Sequence, residues 1–212
     1  QQQGLKLALG VWLDRRADAN ERELRAATDA ARRHGNIERV IAGNETQLHR
    51  TLGPAELYAL LDRLRAALSL PVSTAEPWHV WLSQPELARH VDFITVHLLP
   101  YWEGVPVERA VDDALLRYRQ VRERFPKRHV VIGEIGWPSA GDDVGEAQAT
   151  PAAQAAFVRA FLARTATQRL DYYLMEAVDQ PWKRATEGRV GAHWGLSDAA
   201  RRPKFSFSGP VQ

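Results

Sequence analysis

Six short apolar runs recur along the chain, and longer amphipathic segments separate them. The runs are hydrophobic at nearly every position, and several are rich in Val and Ile. Strands that are covered on both faces, as in a parallel sheet, have this pattern, whereas strands with one solvated face alternate. The runs that we predict to be strands are Leu5–Leu13, Arg39–Asn44, Leu70–Ala75, Val91–Leu99, His129–Ile135 and Asp171–Val178.

The segments between the runs carry start and stop signals of helices. Asn20, with Glu23 three residues later, resembles a capping box. Pro54 and Pro151 fall at positions typical of a first helical turn, and Pro126 marks the end of another helix. The predicted helices are Glu21–His34, Ala55–Leu68, Val107–Phe125 and Ala152–Arg169, with a shorter one at Ser83–His90.

The alternation of strand and helix predicts an α/β fold, either a doubly wound open sheet or a (β/α) barrel. Neither GxGxxG nor GxxxxGK[ST] follows any of the runs, so a phosphate-binding loop is not indicated. Polar and aromatic side chains instead follow the strand ends, and a barrel collects these ends at one face, where its active site lies. We therefore predict a barrel. The strand-end residues are Asn44, Glu45, Glu76, Trp78, His97, Tyr101, Glu134, Trp137 and Glu176.

The composition is close to that of an average globular domain. The 212 residues are 45% hydrophobic and 25% charged, with a formal net charge of +2. Because the Arg residues are scattered over helical segments rather than grouped in one tract, we do not expect a nucleic-acid partner. The chain has no Cys, which excludes disulfides and thiolate zinc sites, and the His residues show no metal-ligand spacing. We therefore expect neither a metal nor another cofactor.

Targeting and membrane signals are weak. No apolar run is long enough to span a bilayer. The chain opens with QQQGLKLALG, which has neither a basic n-region nor a long h-region, so a signal peptide is not indicated.

Glu45 and Glu134 each end a predicted strand, and they are candidates for a pair of catalytic carboxylic acids. Glycosidic bond cleavage commonly uses two carboxyl groups, one of which protonates the leaving oxygen. In retaining enzymes the other attacks the anomeric carbon, and the two groups lie roughly 5–5.5 Å apart. A single Glu after a strand is more often a cap or a surface residue. Here, however, Gly43 and Gly133 lie beside the candidates and allow the chain to bend.

Two segments resemble the catalytic signatures of glycoside hydrolase family 17, the β-1,3-glucanase and glucanosyltransferase family. IGEIGWPSAG, residues 132–141, resembles its nucleophile signature. VIAGNE, residues 40–45, resembles its acid/base segment, in which the Asn-Glu pair is shared across a clan of retaining (β/α)8 barrels. YYLMEAVDQPWK, residues 172–183, and GAHWGL, residues 191–196, are similar to the end of its bacterial branch. The resemblance covers essentially the whole chain and implies a (β/α)8 TIM barrel that acts on β-1,3-glucan.

The resemblance also implies roles for individual residues. Glu134 is the implied nucleophile and Glu45 the implied general acid/base, and Asn44 would hydrogen-bond the 2-hydroxyl of the sugar under attack. We expect burial or the charge of Glu134 to raise the pKa of Glu45, so that Glu45 holds its proton near neutral pH. Glu176 and Lys183 lie in a segment that the family uses near the catalytic centre. They form either a pair that orients the nucleophile or a structural ion pair.

Aromatic side chains near the strand ends are candidates for stacking on sugar rings, since an aromatic face suits the apolar face of a pyranose. We place Trp102 and Trp137 first and include Tyr101 as a further substrate contact. The family's plant members place a catalytic-site Tyr where this chain has Leu99, so we expect Tyr101 to make a different contact. Trp12 is predicted to pack in the core. For the remaining candidates, stacking and core packing are equally good alternatives; these are Trp78, Trp182 and Trp194.

The number of strands departs from the family. A complete barrel has eight βα units in typically about 250 residues, whereas six runs are present here. If Glu45 ends strand four and Glu134 ends strand seven, as the family pattern implies, the first two βα units are lacking. We therefore predict one partial TIM-barrel catalytic domain over residues 1–212.

Together these observations predict a retaining glycoside hydrolase or transglycosylase that acts on β-1,3-glucan by double displacement, with an oligo- or polysaccharide as its partner. Two alternatives stay open: a non-catalytic β-glucan-binding fragment, and a barrel glycosidase with another β-glucan linkage preference. The resemblance to the bacterial branch further implies a domain of a larger, membrane-associated protein that processes glucan in the periplasm or cell envelope.

Overall fold

The computed structural model describes residues 4–207, in which strands and helices alternate. Six parallel strands follow one another in the sheet in chain order. They are β1 (Leu7–Val11), β2 (Ile37–Asn44), β3 (Val72–Pro77), β4 (Ile94–Leu98), β5 (Val130–Ile135) and β6 (Asp171–Leu174). Each predicted apolar run overlaps one strand, so the predicted α/β class with about six strands is confirmed.

The helices follow the predicted order, with one addition. They are α1 (Ala17–Arg33), α2 (Pro54–Ala67), α3 (Trp78–Ser83), α4 (Val107–Arg124), α5 (Pro151–Thr165) and α6 (Arg184–Gly191). Two 3-10 helices span Pro85–Arg89 and Pro181–Lys183. The predicted Pro starts of α2 and α5 are confirmed, and Thr150 caps α5 by accepting a hydrogen bond from Ala153 N at 3.1 Å. Among the described residues, no helix combines the length and apolarity needed to cross a membrane.

The predicted helix Ser83–His90 is wrong in its boundaries. The α-helix α3 comes earlier, and only a 3-10 helix follows it. Pro85 explains the break, because a proline disfavours helical backbone at the residue before it and supplies no N–H of its own.

The predicted capping box at the start of α1 is also wrong. The helix begins at Ala17, and Asn20 is buried inside it. The Asn20 side chain accepts a hydrogen bond from Asp14 N at 2.9 Å and donates one to Asp14 O at 2.7 Å. Asn20 therefore ties α1 to the segment that follows β1, rather than capping the helix.

Contacts divide the chain into two compact units. The first unit extends as far as His97 and also contains Val121–Val131. The second contains Leu98–Gln120 and the chain from Ile132 onward. The single domain over residues 1–212 stays a prediction.

The strands of the first unit lack an alternating pattern because both of their faces are buried. β1 to β4 pair in parallel, with Val40 opposite Val72 and Ala75 opposite Thr95. Every residue of β4 is buried, as are the first five of β3. Both faces of these strands are covered, so burial does not alternate along them; polar side chains such as Thr74 and Thr95 are buried together with the apolar ones. β1 ends the sheet order and is more exposed: Leu7 retains 46% of its accessible surface.

The second unit packs around α5. Phe157 and Phe161 of this helix are fully buried. Gln154, also buried, donates through Nε2 to the carbonyl oxygens of Trp137 at 2.8 Å and Gly195 at 3.2 Å. These bonds attach the segment after β5 and the segment near residue 195 to the same helix.

Candidate active site

The Asn44-Glu45 pair follows a bulge at the carboxyl end of β2. The pairing of β2 with β3 shifts register just before Asn44, and Gly43 has a φ of +86°. A Cβ at position 43 would come within 3.0 Å of Thr74 Oγ1, so glycine is needed for both backbone and space. Glu45 has a φ of +53°, and its N–H donates to Ala75 O at 2.8 Å. Left-handed backbone is uncommon outside glycine, and such strain clusters at functional sites.

Each carboxylate oxygen of Glu45 contacts a different imidazole. Oε1 lies 2.9 Å from Nδ1 of His97, which is buried near the end of β4. Oε2 lies 3.2 Å from Nε2 of His49, whose side chain is 63% exposed. Burial acts to raise the pKa of Glu45, but hydrogen bonds and charge from the two imidazoles outweigh it and hold the pKa below its usual value. The expectation of a raised pKa is therefore wrong.

Glu76 is a carboxylate for which the sequence suggested a strand-end position but no role. It is fully buried in β3. Its Oε1 accepts hydrogen bonds from Gln47 N at 2.8 Å and Thr46 Oγ1 at 3.0 Å, and its Oε2 accepts one from Leu48 N at 3.2 Å. Burial raises the pKa of Glu76, and these bonds act in the opposite direction. Glu76 thereby fixes the turn that directly follows Glu45. The signal in the sequence is an acidic residue directly after the predicted strand Leu70–Ala75.

Glu134 lies one residue before the end of β5 and is half-buried. Beyond the strand, a Cβ at Gly136 would overlap the carbonyl oxygen of Met175, so only glycine allows this approach to the chain after β6. Met175 N donates to Ile135 O at 2.8 Å. Glycine at 136 and this hydrogen bond hold the end of β5, and with it the backbone that carries Glu134. Asn44, at the end of β2, is exposed.

Tyr101, Trp137 and Trp194 form a buried aromatic cluster in the second unit. The Tyr101 ring lies edge-on to Trp137 and Trp194, with centroids 5.7 and 5.6 Å away. The Tyr101 hydroxyl donates to the carbonyl oxygen of Asp142, and Trp137 Nε1 donates to Gln148 O at 2.9 Å. Neither Tyr101 nor Trp137 has a ring face open to a sugar, so both support the packing of the unit. Neighbouring aromatic rings cover these two side chains, and their contacts to substrate stay a prediction.

Trp102 stays a candidate for stacking on a sugar. It is 46% exposed, and its ring packs 5.9 Å from the buried ring of Trp194. Trp182 is 67% exposed, and its Nε1 donates to Gln180 Oε1 at 2.9 Å. Trp12 is 60% exposed, so its predicted place in the core is wrong. It follows β1, the strand at one end of the sheet order, and such a position has a neighbouring strand on one side.

Glu176 and Lys183 form an ion pair, and its role in orienting the nucleophile stays a prediction. Lys183 Nζ and Gln180 Nε2 both donate to Glu176 Oε2, at 2.8 and 2.7 Å. The side chains of Glu176 and Lys183 are only 13% and 16% exposed. Within the described residues, the buried Oε1 of Glu176 has no hydrogen-bond partner. A buried acceptor of this kind is costly to leave unpaired, so Oε1 is a candidate acceptor for a ligand hydroxyl.

The model of the BtgE/BtgC glycoside hydrolase domain matches residues 1–195. The chain belongs to this family. Among curated relatives, the glucan 1,3-beta-glucosidase of Arthroderma benhamiae is 28% identical to this BtgE/BtgC domain over 225 residues, which cover 96% of the chain and 71% of the relative. The probable glucan endo-1,3-beta-glucosidase btgC of Aspergillus terreus is 28% identical over 236 residues. That match covers 97% of the chain but only 36% of the relative, so the chain spans about a third of that protein.

Solved structures agree with the family assignment. The crystal structure of a glycoside hydrolase family 17 β-1,3-glucanosyltransferase from Rhizomucor miehei superposes with a TM-score of 0.88 and 26% identity. The match covers 98% of this BtgE/BtgC domain and 78% of that chain. An active-site mutant of the Rhizomucor miehei enzyme in complex with laminaritriose gives a TM-score of 0.86 and 27% identity, over 96% of this chain and 76% of that one.

The comparisons confirm the resemblance to family 17 and place the chain among enzymes that act on O-glycosyl bonds. The relatives named above are fungal, so the bacterial branch gains no support from them.

Proposed function

We propose that this BtgE/BtgC domain cleaves β-1,3-glucan with retention of configuration, by double displacement. Glu134 attacks the anomeric carbon while Glu45 gives its proton to the leaving oxygen, so the glycosidic bond breaks and a glycosyl ester forms. An acceptor hydroxyl then attacks the ester, Glu45 takes the acceptor's proton, and Glu134 is released. Water as acceptor gives hydrolysis, and a sugar hydroxyl gives transglycosylation. The mechanism requires the two carboxyl groups to lie roughly 5–5.5 Å apart.

The observation that carries the proposal is the setting of Glu45. Its left-handed backbone follows a bulge, its turn is fixed by the buried Glu76, and both of its carboxylate oxygens are held by imidazoles. So many fixed contacts around one half-buried carboxylate suit a group that must meet substrate in one orientation. The match to a β-1,3-glucanosyltransferase over 98% of the chain supports the substrate class.

Other residues supply binding rather than chemistry in this proposal. Asn44 hydrogen-bonds the 2-hydroxyl of the attacked sugar, and Trp102 stacks on a ring. Glu176 accepts a sugar hydroxyl at Oε1, while Lys183 fixes the other oxygen. We further propose that the substrate is a β-glucan oligo- or polysaccharide, and that the domain acts in a cell envelope as part of a larger, membrane-associated protein.

A mass-spectrometric time course on a laminari-oligosaccharide of defined length tests the proposal, with Glu134→Gln as the matched control. Products shorter than the substrate indicate hydrolysis, and products longer than the substrate indicate glucanosyl transfer. Faster turnover of cello-oligosaccharides than of laminari-oligosaccharides would contradict the proposed preference for β-1,3 linkages and indicate a preference for β-1,4 linkages. No turnover by a folded wild-type chain would contradict the catalytic proposal. Binding to laminari-oligosaccharides that persists unchanged in Glu134→Gln would then favour a β-glucan-binding module.

A further inference from the structure

His49 lies four residues after Glu45, in the turn that Glu76 fixes. Its backbone N–H donates to Glu45 O at 2.9 Å, and its ring Nε2 lies 3.2 Å from Glu45 Oε2. We propose that His49 is a positioning residue for Glu45: its imidazole holds Oε2 in the free protein and yields that oxygen to the leaving-group oxygen of the sugar. This inference rests on the proposed function and adds a residue to it.

The two imidazoles that contact Glu45 differ in how easily they can be replaced. His97 is 3% exposed and lies in β4, so its 2.9 Å contact with Oε1 is fixed by a strand of the sheet. His49 is 63% exposed and lies on a turn, and its 3.2 Å contact is at the long end for a hydrogen bond. Rotation of the His49 side chain costs little buried contact. Oε2 is therefore the oxygen that a sugar can reach, and the one that must carry the catalytic proton.

The charged and titratable groups that act on Glu45 come from several elements. His97 contributes from β4, His49 from the turn after β2, and Glu76 from β3 interacts with Glu45 as a like charge. In the proposed mechanism Glu134 is a further negative charge. The imidazoles favour the carboxylate form of Glu45 and the acidic neighbours favour the protonated form. Removal of one imidazole therefore lets Glu45 keep its proton to higher pH.

The test is the pH dependence of kcat/KM on a laminari-oligosaccharide, because the first chemical step needs Glu45 protonated. We expect His49→Gln to move the alkaline limb of the profile to higher pH by about half a pH unit, the size typical of an exposed charged contact. His34→Gln removes an exposed imidazole at the end of α1 and should leave the limb in place. With an activated aryl glycoside, whose leaving group needs no acid, the shift in His49→Gln should be much smaller.

An alkaline limb that coincides in wild type and His49→Gln, in proteins that both turn over substrate, would overturn the role of His49. If the wild type turns over no substrate, the catalytic proposal fails separately. The carboxyl 13C shift of Glu45 as a function of pH then decides whether His49 holds this carboxylate. An equal titration in wild type and variant would reject the contact, and His49→Ala serves as a second variant for the same measurement.

Discussion

At the scale of single residues, the buried side chain of Glu76 fixes the turn that follows Glu45, the proposed acid/base. The Glu76 carboxylate accepts three hydrogen bonds, two from backbone N–H groups and one from Thr46. In Glu76→Gln one acceptor oxygen becomes an NH2 group that faces donors. Leaving such buried groups unpaired costs about 1–3 kcal/mol. We expect a loss of that size in the free energy of unfolding, and a fall in kcat of roughly tenfold or more as Glu45 loses its fixed position.

Urea denaturation and laminari-oligosaccharide turnover measure the two effects of Glu76→Gln. Glu23→Gln is the matched control, because Glu23 is exposed on α1 and its replacement should change stability by less than about 0.5 kcal/mol. Equal stability and activity in Glu76→Gln and wild type would show that the turn after Glu45 does not depend on this carboxylate.

At the scale of elements, Lys204 connects the chain near its C-terminus to the segments that follow β5 and β6. Its Nζ donates to Ser139 Oγ at 2.7 Å and to Asp179 Oδ1 at 2.6 Å. The side chains of Lys204 and Asp179 are 13% and 9% exposed. Lys204→Met keeps much of the length but leaves the Asp179 charge buried without its cation. Breaking one partner from a buried pair costs about 3–5 kcal/mol, so we expect a large drop in unfolding free energy.

Arg202→Met is the control for Lys204→Met in the same urea titration. Arg202 pairs with Asp198, but its side chain is 80% exposed, so its loss should cost no more than about 1 kcal/mol. Comparable losses in the two variants would mean that the buried pair contributes no more than a surface pair.

The strands could be predicted from the sequence because burial on both faces favours apolar residues at consecutive positions, as in residues 130–132 at the start of β5. The start of α1 could not be predicted, because the Asn20 side chain bonds the backbone of Asp14, six residues earlier, instead of capping the helix. The exposure of Trp12 and the burial of Trp137 could not be predicted from the sequence either. Exposure depends on which strand or ring lies alongside, and a single residue's position past a strand end does not specify that.

The candidate site, like the fold, could be predicted from the sequence only in part. Glu45 and Glu134 could be proposed as candidates from the sequence because a short local motif and a strand end coincide at each. His49 contacts Glu45 from four residues away, but no motif in the sequence marks that contact. The contact of Glu76 spans the fold, since Glu76 bonds a turn about thirty positions earlier in the chain. The lowered pKa of Glu45 has the same origin, since His97 reaches it from β4. Local patterns thus indicated the two candidate carboxylates, whereas packing between elements contributes to the lowered pKa of Glu45.

At the scale of the whole molecule, the exposed strand at the end of the sheet order predicts how the chain behaves in solution. β1 carries Leu7, which is 46% exposed, and it is flanked by Leu5 at 63% and Trp12 at 60%. An apolar strand at the end of a sheet offers both backbone pairing and apolar surface to another molecule. We therefore expect the 212-residue chain to self-associate as its concentration rises, as measured by sedimentation velocity.

Leu7→Lys should reduce this self-association, because a charge on an end strand opposes strand pairing with another molecule and the substitution removes an exposed apolar side chain. Leu116→Lys is the matched control: Leu116 is 42% exposed but lies on α4, where the backbone bonds are satisfied within the helix. Its replacement should leave most of the association in place. Equal reductions by the two variants would attribute association to apolar surface in general. A chain that sediments as a monomer at every concentration would show that β1 is not an association site.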